Sequence, residues 1–186
     1  MCGRFPQSYT WEEVHRFLRM LTPSATPNLR PRYNIAPTTL IDVVVDRGNG
    51  RELVSMRWGL IPGWWKKKAN EVGATFNAVG EEAATKPMFR FSFKARRCII
   101  PALGFYEWTG PKTDRQSHYF TRADREILAF AGLWERWTNP ENGEEVPIVL
   151  DHHDRREQMD ERVSHTYAGG ACRKRLRRLA PGEGGA

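Results

Sequence analysis

Cysteine is scarce and poorly placed for pairing. Cys2, Cys98 and Cys172 are odd in number, far apart, and contain no CxxC pair. That argues against a disulfide framework and against a cysteine zinc site. The chain also lacks a charged segment leading into an apolar leader, and it has no apolar run long enough to span a bilayer. The expectation is a soluble, intracellular protein with no membrane partner. Internal repeats and interdomain linkers are missing too, so the 186 residues read as one domain. Nothing points to a metal or an organic cofactor.

Negative charge is in deficit: 29 Lys and Arg stand against 22 Asp and Glu, a formal net charge of +7. A basic balance favours an anionic partner, of which nucleic acid is the commonest. Aromatics are plentiful, with seven Trp, nine Phe and five Tyr, enough large apolar bodies for a sizeable core.

Thr10-Trp11-Glu12-Glu13 reads as a capping box, and Val14, Phe17, Leu18 and Leu21 follow at helical spacing. Leu40 to Asp46 is β-branched and apolar, and Gly48-Asn49-Gly50 turns it into a partner strand from Leu53 to Leu60. Thr22 to Pro37 holds four prolines and reads as irregular. Glu81 to Ala84 starts a short helix that Pro87 ends. Arg97 to Trp108 reads as a buried strand broken at Pro101 and Gly104. His118 to Thr121, Ile127 to Trp134 and Val146 to Leu150 read as further strands. The fold class is therefore α+β, mostly β, with few short helices. From Asp151 onward the chain is highly charged, then Gly-rich and basic, so residues 151–186 read as a disordered tail behind a 1–150 domain.

Several short segments can carry chemistry. Cys2 becomes the first residue if Met1 is removed, placing an α-amine and a thiol on adjacent carbons. The amine, with an unperturbed pKa of roughly 7.7–8.0, is partly neutral near pH 7 and can condense with an aldehyde. The thiol then closes a five-membered thiazolidine. The same group can serve as a nucleophile in amide hydrolysis. Taken alone, position 2 favours an inert cysteine, and Asn34 and Asn77 favour turn chemistry. Trp64-Trp65-Lys66-Lys67-Lys68 mixes aromatic platforms with cations, a pattern suited to single-stranded nucleic acid, with at least one Trp expected in the core. Glu107, between Tyr106 and Trp108 on a mainly apolar strand, should be partly desolvated, which would raise its pKa toward proton transfer near neutrality. His152, His153 and His165 are candidate acids or bases, whereas His15 and His118 read as surface or packing residues.

Met1-Cys2-Gly3-Arg4-Phe5, Arg32-Tyr33-Asn34-Ile35-Ala36-Pro37, Arg57-Trp58-Gly59-Leu60-Ile61-Pro62, Phe76-Asn77-Ala78, Gly104-Phe105-Tyr106-Glu107-Trp108 and Ala129-Phe130-Ala131-Gly132-Leu133-Trp134 occur in this order. Together they resemble the SOS response-associated peptidase (SRAP) family. The resemblance implies a compact β-rich fold with a basic groove for single-stranded DNA, in a bacterial cytoplasmic, nucleoid-associated monomer of the DNA damage response. It implies that Cys2, freed of Met1, forms a thiazolidine cross-link with the ring-opened aldehyde of an abasic site. Asn77 would orient nucleophile and sugar, Glu107 would assist proton transfer, and His165 stands in for the family histidine, with His153 second. Arg4, Asn34, Trp64, Trp65, Lys66 and Lys67 would contact DNA. A thiol peptidase with Cys2 as nucleophile, and a non-catalytic single-stranded DNA-binding module, are the alternatives.

Two departures from the family pattern stand out. Val79 occupies a position where the family has Arg, removing one expected phosphate contact. After Pro147 the family's closing strand and its His-x-Arg-Met-Pro signature are missing. Read one base later, codons for Ser164 to Gly170 can spell His-Thr-Arg-Met-Pro-Val. A shifted reading frame of a normal family end is therefore expected, and the coding DNA tests it.

Overall fold

The computed structural model describes residues 3–20, 27–73, 75–153 and 176–178. Five strands close into a ring. In the order β4-β3-β6-β9-β10, each pairs with the next, and β10 returns to β4. The strands are β3 (Leu40–Asp46), β4 (Arg51–Trp58), β6 (Arg97–Ala102), β9 (Leu128–Thr138) and β10 (Glu145–His153). Strand β10 runs antiparallel to β9 along one edge. On its other edge it runs parallel first to β4 (Ile148↔Arg57) and then to the three-residue β5 (Asn77–Val79), with Asp151 opposite Asn77.

Alternation along the strands sorts the side chains into layers. Ile41, Val43 and Val45 of β3 join Met56, Trp58, Ile100, Phe130 and Val149 in the interior cluster. The intervening Val44 faces outward into a second cluster under helix α1 (Trp11–Leu18), where Val14 and Leu18 are buried. A third cluster, with Leu60, Ile61, Leu133, Trp137, Ile148 and Leu150, lies outside β9 and β10. It is covered by Phe89, Phe93 and Trp65, from the start of α3 (Arg90–Ala95), which follows the short helix α2 (Gly80–Ala83), and from the loop after β4.

The capping box forms as read: Thr10 Oγ1 accepts from the Glu13 amide at 3.2 Å, and Glu13 Oε2 accepts from the Thr10 amide at 2.7 Å. The β3–β4 hairpin also forms, in register from Leu40↔Arg57 to Asp46↔Arg51. Other expectations are corrected. The proline-rich stretch contains strand β2 (Arg32–Ile35), held against β1 (Phe5–Gln7) between Pro31 and Pro37. Short strands of this kind depend on a distant partner rather than on local propensity. Pro101 does not break its strand. There β6 needs only the β9 ladder, since β3 meets it at the single pair Val44↔Ile99. The break falls at Leu103-Gly104, and β7 (Phe105–Thr109) belongs to a separate sheet with β8 (Gln116–Arg122) and β11 (Leu176–Arg178). Because one face of that sheet is open, β7 is half-exposed rather than buried.

The strand expected over Val146 to Leu150 forms, with Ile148, Val149 and Leu150 fully buried, and β10 continues as backbone pairing through His153. Residues 154–175 and 179–186, including His165, lie outside the described residues, as do Met1 and Cys2.

A buried amide ties the elements together. Gln7 Nε2 donates to the carbonyls of Asp42 (2.8 Å) and Pro101 (3.0 Å), and its Oε1 accepts from the Asp42 amide and from Arg32 Nη2. All of its hydrogen-bonding capacity is used, which offsets the cost of burying it.

Candidate functional site

Three segments carrying candidate residues reach one end of the ring. Each is anchored by a phenylalanine beside the candidate. Phe5, next to Arg4, packs on Trp58 with ring centroids 4.7 Å apart. Phe76, next to Asn77, meets the same indole edge-on at 5.9 Å, and its carbonyl accepts from Trp58 Nε1 at 3.1 Å. Phe105, two residues before Glu107, stacks on Phe120 at 5.3 Å and meets Phe130 edge-on at 6.2 Å; Phe130 in turn touches Phe5 at 5.9 Å. Trp58 is 0% exposed, and this aromatic cluster fixes the three backbones relative to one another.

Backbone contacts finish the placement. The Tyr106 amide donates to the Arg4 carbonyl at 2.9 Å, joining the N-terminal segment to β7. Arg4 Nη1 donates to Asn34 Oδ1 at 3.1 Å, so these two expected DNA contacts do meet, on an exposed surface. The Asn77 side-chain oxygen is sealed from solvent, whereas Glu107 is half-buried. Gly104 explains why this motif begins with glycine. A Cβ there would lie 2.3 Å from the Phe120 carbonyl and 2.6 Å from the Tyr119 ring. Gly59 holds the turn after Trp58 at φ +131, a backbone that L side chains rarely adopt, and its amide donates to the Val149 carbonyl at 2.7 Å.

Around Glu107 the tyrosines hold their protons. Burial raises the Tyr106 phenol, and burial followed by the neighbouring Tyr106 pushes Tyr119 up to about 12. His118, opposite Glu107 across the antiparallel β7–β8 pair, is buried at 8% exposure, with its Nε2 2.7 Å from Thr109 Oγ1. The sequence places it among surface or packing residues and does not reveal its register with Glu107. The alternation of His118 with Phe120 was the available signal.

The remaining expected DNA contacts do not lie at this end. The loop after β4 leaves at Gly59 and returns where the Leu60 amide donates to the Thr75 carbonyl (2.9 Å). Between these points it carries Trp64 and Trp65 along the outside of β9. There Trp137 Nε1 donates to the Trp65 carbonyl at 2.8 Å. Trp65 packs into the outer core while Trp64 is 61% exposed, with Lys66 and Lys67 exposed beside it. Among the described residues, no cluster of His, Cys, Asp and Glu could hold a metal ion, and no helix is long and apolar enough to cross a membrane.

The family described as "SOS response associated peptidase (SRAP)" matches residues 1–162. The abasic site processing protein YoqW of Bacillus subtilis (strain 168) is 35% identical over 144 residues, which cover 76% of this chain and 63% of that protein. This chain thus spans a little under two thirds of that relative. The abasic site processing protein YedK of Escherichia coli (strain K12) is 32% identical over 173 residues, covering 84% of this chain and 73% of its own. Among solved structures, an X-ray structure of a protein from Bordetella bronchiseptica matches with a TM-score of 0.70 at 25% identity, over 95% of this chain and 82% of that one. A second, from Bacteroides thetaiotaomicron, matches the fold with a TM-score of 0.72 at 20% identity, over 96% of this chain and 77% of that one. The chain belongs to the SOS response-associated peptidase family.

Proposed function

We propose that this protein processes abasic sites in single-stranded DNA by trapping the sugar aldehyde on Cys2 after removal of Met1. The relatives named above are abasic site processing proteins, and this chain carries the residues such chemistry needs. The α-amine attacks the aldehyde carbon and water leaves, giving an imine. The thiol sulfur then adds to the imine carbon, and its proton passes to the nitrogen. A thiazolidine joins protein and DNA, with one water lost overall. Glu107 moves protons during addition and dehydration, Asn77 orients the reacting sugar, and Arg4 with Asn34 holds the adjoining phosphate. His165 takes the remaining acid–base role.

The observation that carries this reading is the shared aromatic anchor: Phe5, Phe76 and Phe105 bring Arg4, Asn77 and Glu107 to one end of the ring. A denaturing gel tests it. Incubation with a single-stranded oligonucleotide bearing one abasic site should give a band that survives denaturation and disappears in Cys2→Ala. An unchanged band in Cys2→Ala, or cleavage of peptides with no DNA adduct, would overturn it.

A further inference from the structure

The end of the ring remote from Asn77 and Glu107 carries a second organised surface. Trp134, half-buried on β9, is surrounded by three guanidinium groups: Arg96 at 5.3 Å, Arg136 at 5.8 Å and Arg47 at 5.9 Å from its ring centroid. Arg96 also covers Phe91 of α3 at 4.9 Å. On the other side the stack approaches the Trp64 loop, since a Cβ on Gly63 would sit 2.9 Å from the Arg136 carbonyl. Cations and aromatic faces therefore alternate from Arg136 through Trp134 and Arg96 to Phe91, with the Trp64 loop beside Arg136, and the Trp64 and Phe91 rings are exposed, at 61% and 54%.

The inner members of this run are held rigidly. Glu135, buried beneath it, pairs with Arg96 and accepts from Ser92 Oγ at 3.3 Å and from the Arg136 amide at 2.9 Å. Glu145 pairs with Arg136 at 3.3 Å and Glu52 with Arg47 at 3.1 Å. Positive charge remains in excess at the rim. Arg90 and Lys94, exposed on α3 beside Phe91, have no ion pair among the described residues. Crowding is visible inside the stack, where burial, and after it the neighbouring Arg136, lowers the Arg96 pKa. An exposed aromatic face next to unpaired cations suits stacked bases with their phosphates alongside.

We infer that the surface from Trp64 through Arg136, Trp134 and Arg96 to Phe91 is a second binding segment for single-stranded DNA, engaging nucleotides remote from the reactive one. This rests on the single-stranded DNA reading above. Along β10, Asn77 lies opposite Asp151, Trp134 opposite Val149 and Arg136 opposite Pro147. A short strand fills one of the two surfaces, whereas a longer one reaches both.

The test is native binding of unmodified oligothymidylates of five and fifteen nucleotides, followed by fluorescence anisotropy. The 15-mer should bind more tightly than the 5-mer, and Phe91→Ala should weaken 15-mer binding by about five- to a hundredfold, the loss expected for one stacked base. Phe91→Trp should restore it. Lys94→Ala should reduce the slope of log affinity against log salt for the 15-mer by about 0.7. Thermal melts check that both variants fold, which the exposure of both side chains favours. If the 15-mer binds and neither Phe91→Ala nor Lys94→Ala changes its binding, the second segment is wrong and the cross-linking site stands. If no single-stranded DNA binds at either length, both readings fall together.

Discussion

At one end of the barrel the aromatic rings are buried and the polar candidates are brought in on strand backbones; toward the other, Trp134 is half-buried against the interior cluster and arginines stack around it. Trp58 and Phe130 sit in a dry interior and take their partners from Phe5, Phe76 and Phe105. Trp134 takes its partners from Arg47, Arg96 and Arg136, each balanced by a glutamate. On the proposed reading, the first arrangement positions reacting groups and the second receives a long anionic strand. The same kind of ring then serves either purpose according to what surrounds it.

Substituting the two tryptophans separates these roles most strongly. Trp58→Ala should cost about 3–5 kcal/mol in a denaturant titration and abolish the DNA adduct, because it removes the common anchor of three segments. Trp134→Ala should cost less, about 2 kcal/mol, since the half-buried indole packs on the interior cluster and under the arginines while the three phenylalanine anchors stay in place. Equal losses from both substitutions would remove the distinction between the ends. Next in size, Glu107→Gln should slow adduct formation about a hundredfold or more in a quenched time course, with the melting temperature nearly unchanged because the side chain is half-exposed. A rate within about twofold of wild type would take Glu107 out of the chemistry.

Smaller effects probe the barrel interior. Burial pushes the Cys98 thiol far above its ordinary value, so it stays protonated and unreactive in the native state. Iodoacetamide at pH 8 should modify Cys98 only after denaturation, as read by peptide mass mapping; equally fast modification of native protein would contradict the packing. Asp42 gives the smallest signal. Burial raises its carboxyl, which Arg32 opposes only in part. From the ordinary carboxylate value up to the raised one, the native state keeps a proton that the unfolded chain has released. Its contribution is therefore full below that window and falls as pH rises through it. The melting temperature of wild type relative to Asp42→Asn should decline across that window; an increase would reverse the assignment.

What was legible in the sequence follows from how local each feature is. The capping box at Thr10 and Glu13, and the hairpin turned at Gly48-Asn49-Gly50, need only neighbouring residues, and both formed as read. Strands β2 and β5 were invisible because each is short and exists through a distant partner, β1 in one case and β10 in the other. Helix α3 was missed because Pro87 signalled an ending, whereas its buried Ser92 and the adjoining Phe89 show it packed against the outer core. Of the candidate site, the residue types were legible from short motifs. Their grouping was not: Arg4 with Asn34 at one end, and Trp64 with Lys66 and Lys67 toward the other, is a product of strand closure. The sequence also gave no hint that Trp134 would gather three arginines, since Arg47, Arg96 and Arg136 come from three separate segments.

Intact mass spectrometry of the protein after reaction with an abasic oligonucleotide tests the aldehyde-trapping chemistry most directly. The predicted species is the chain without Met1 plus the DNA strand, less one water, and it is missing from Cys2→Ala. A chain that keeps Met1 and still forms the adduct, or an adduct that persists in Cys2→Ala, would contradict it.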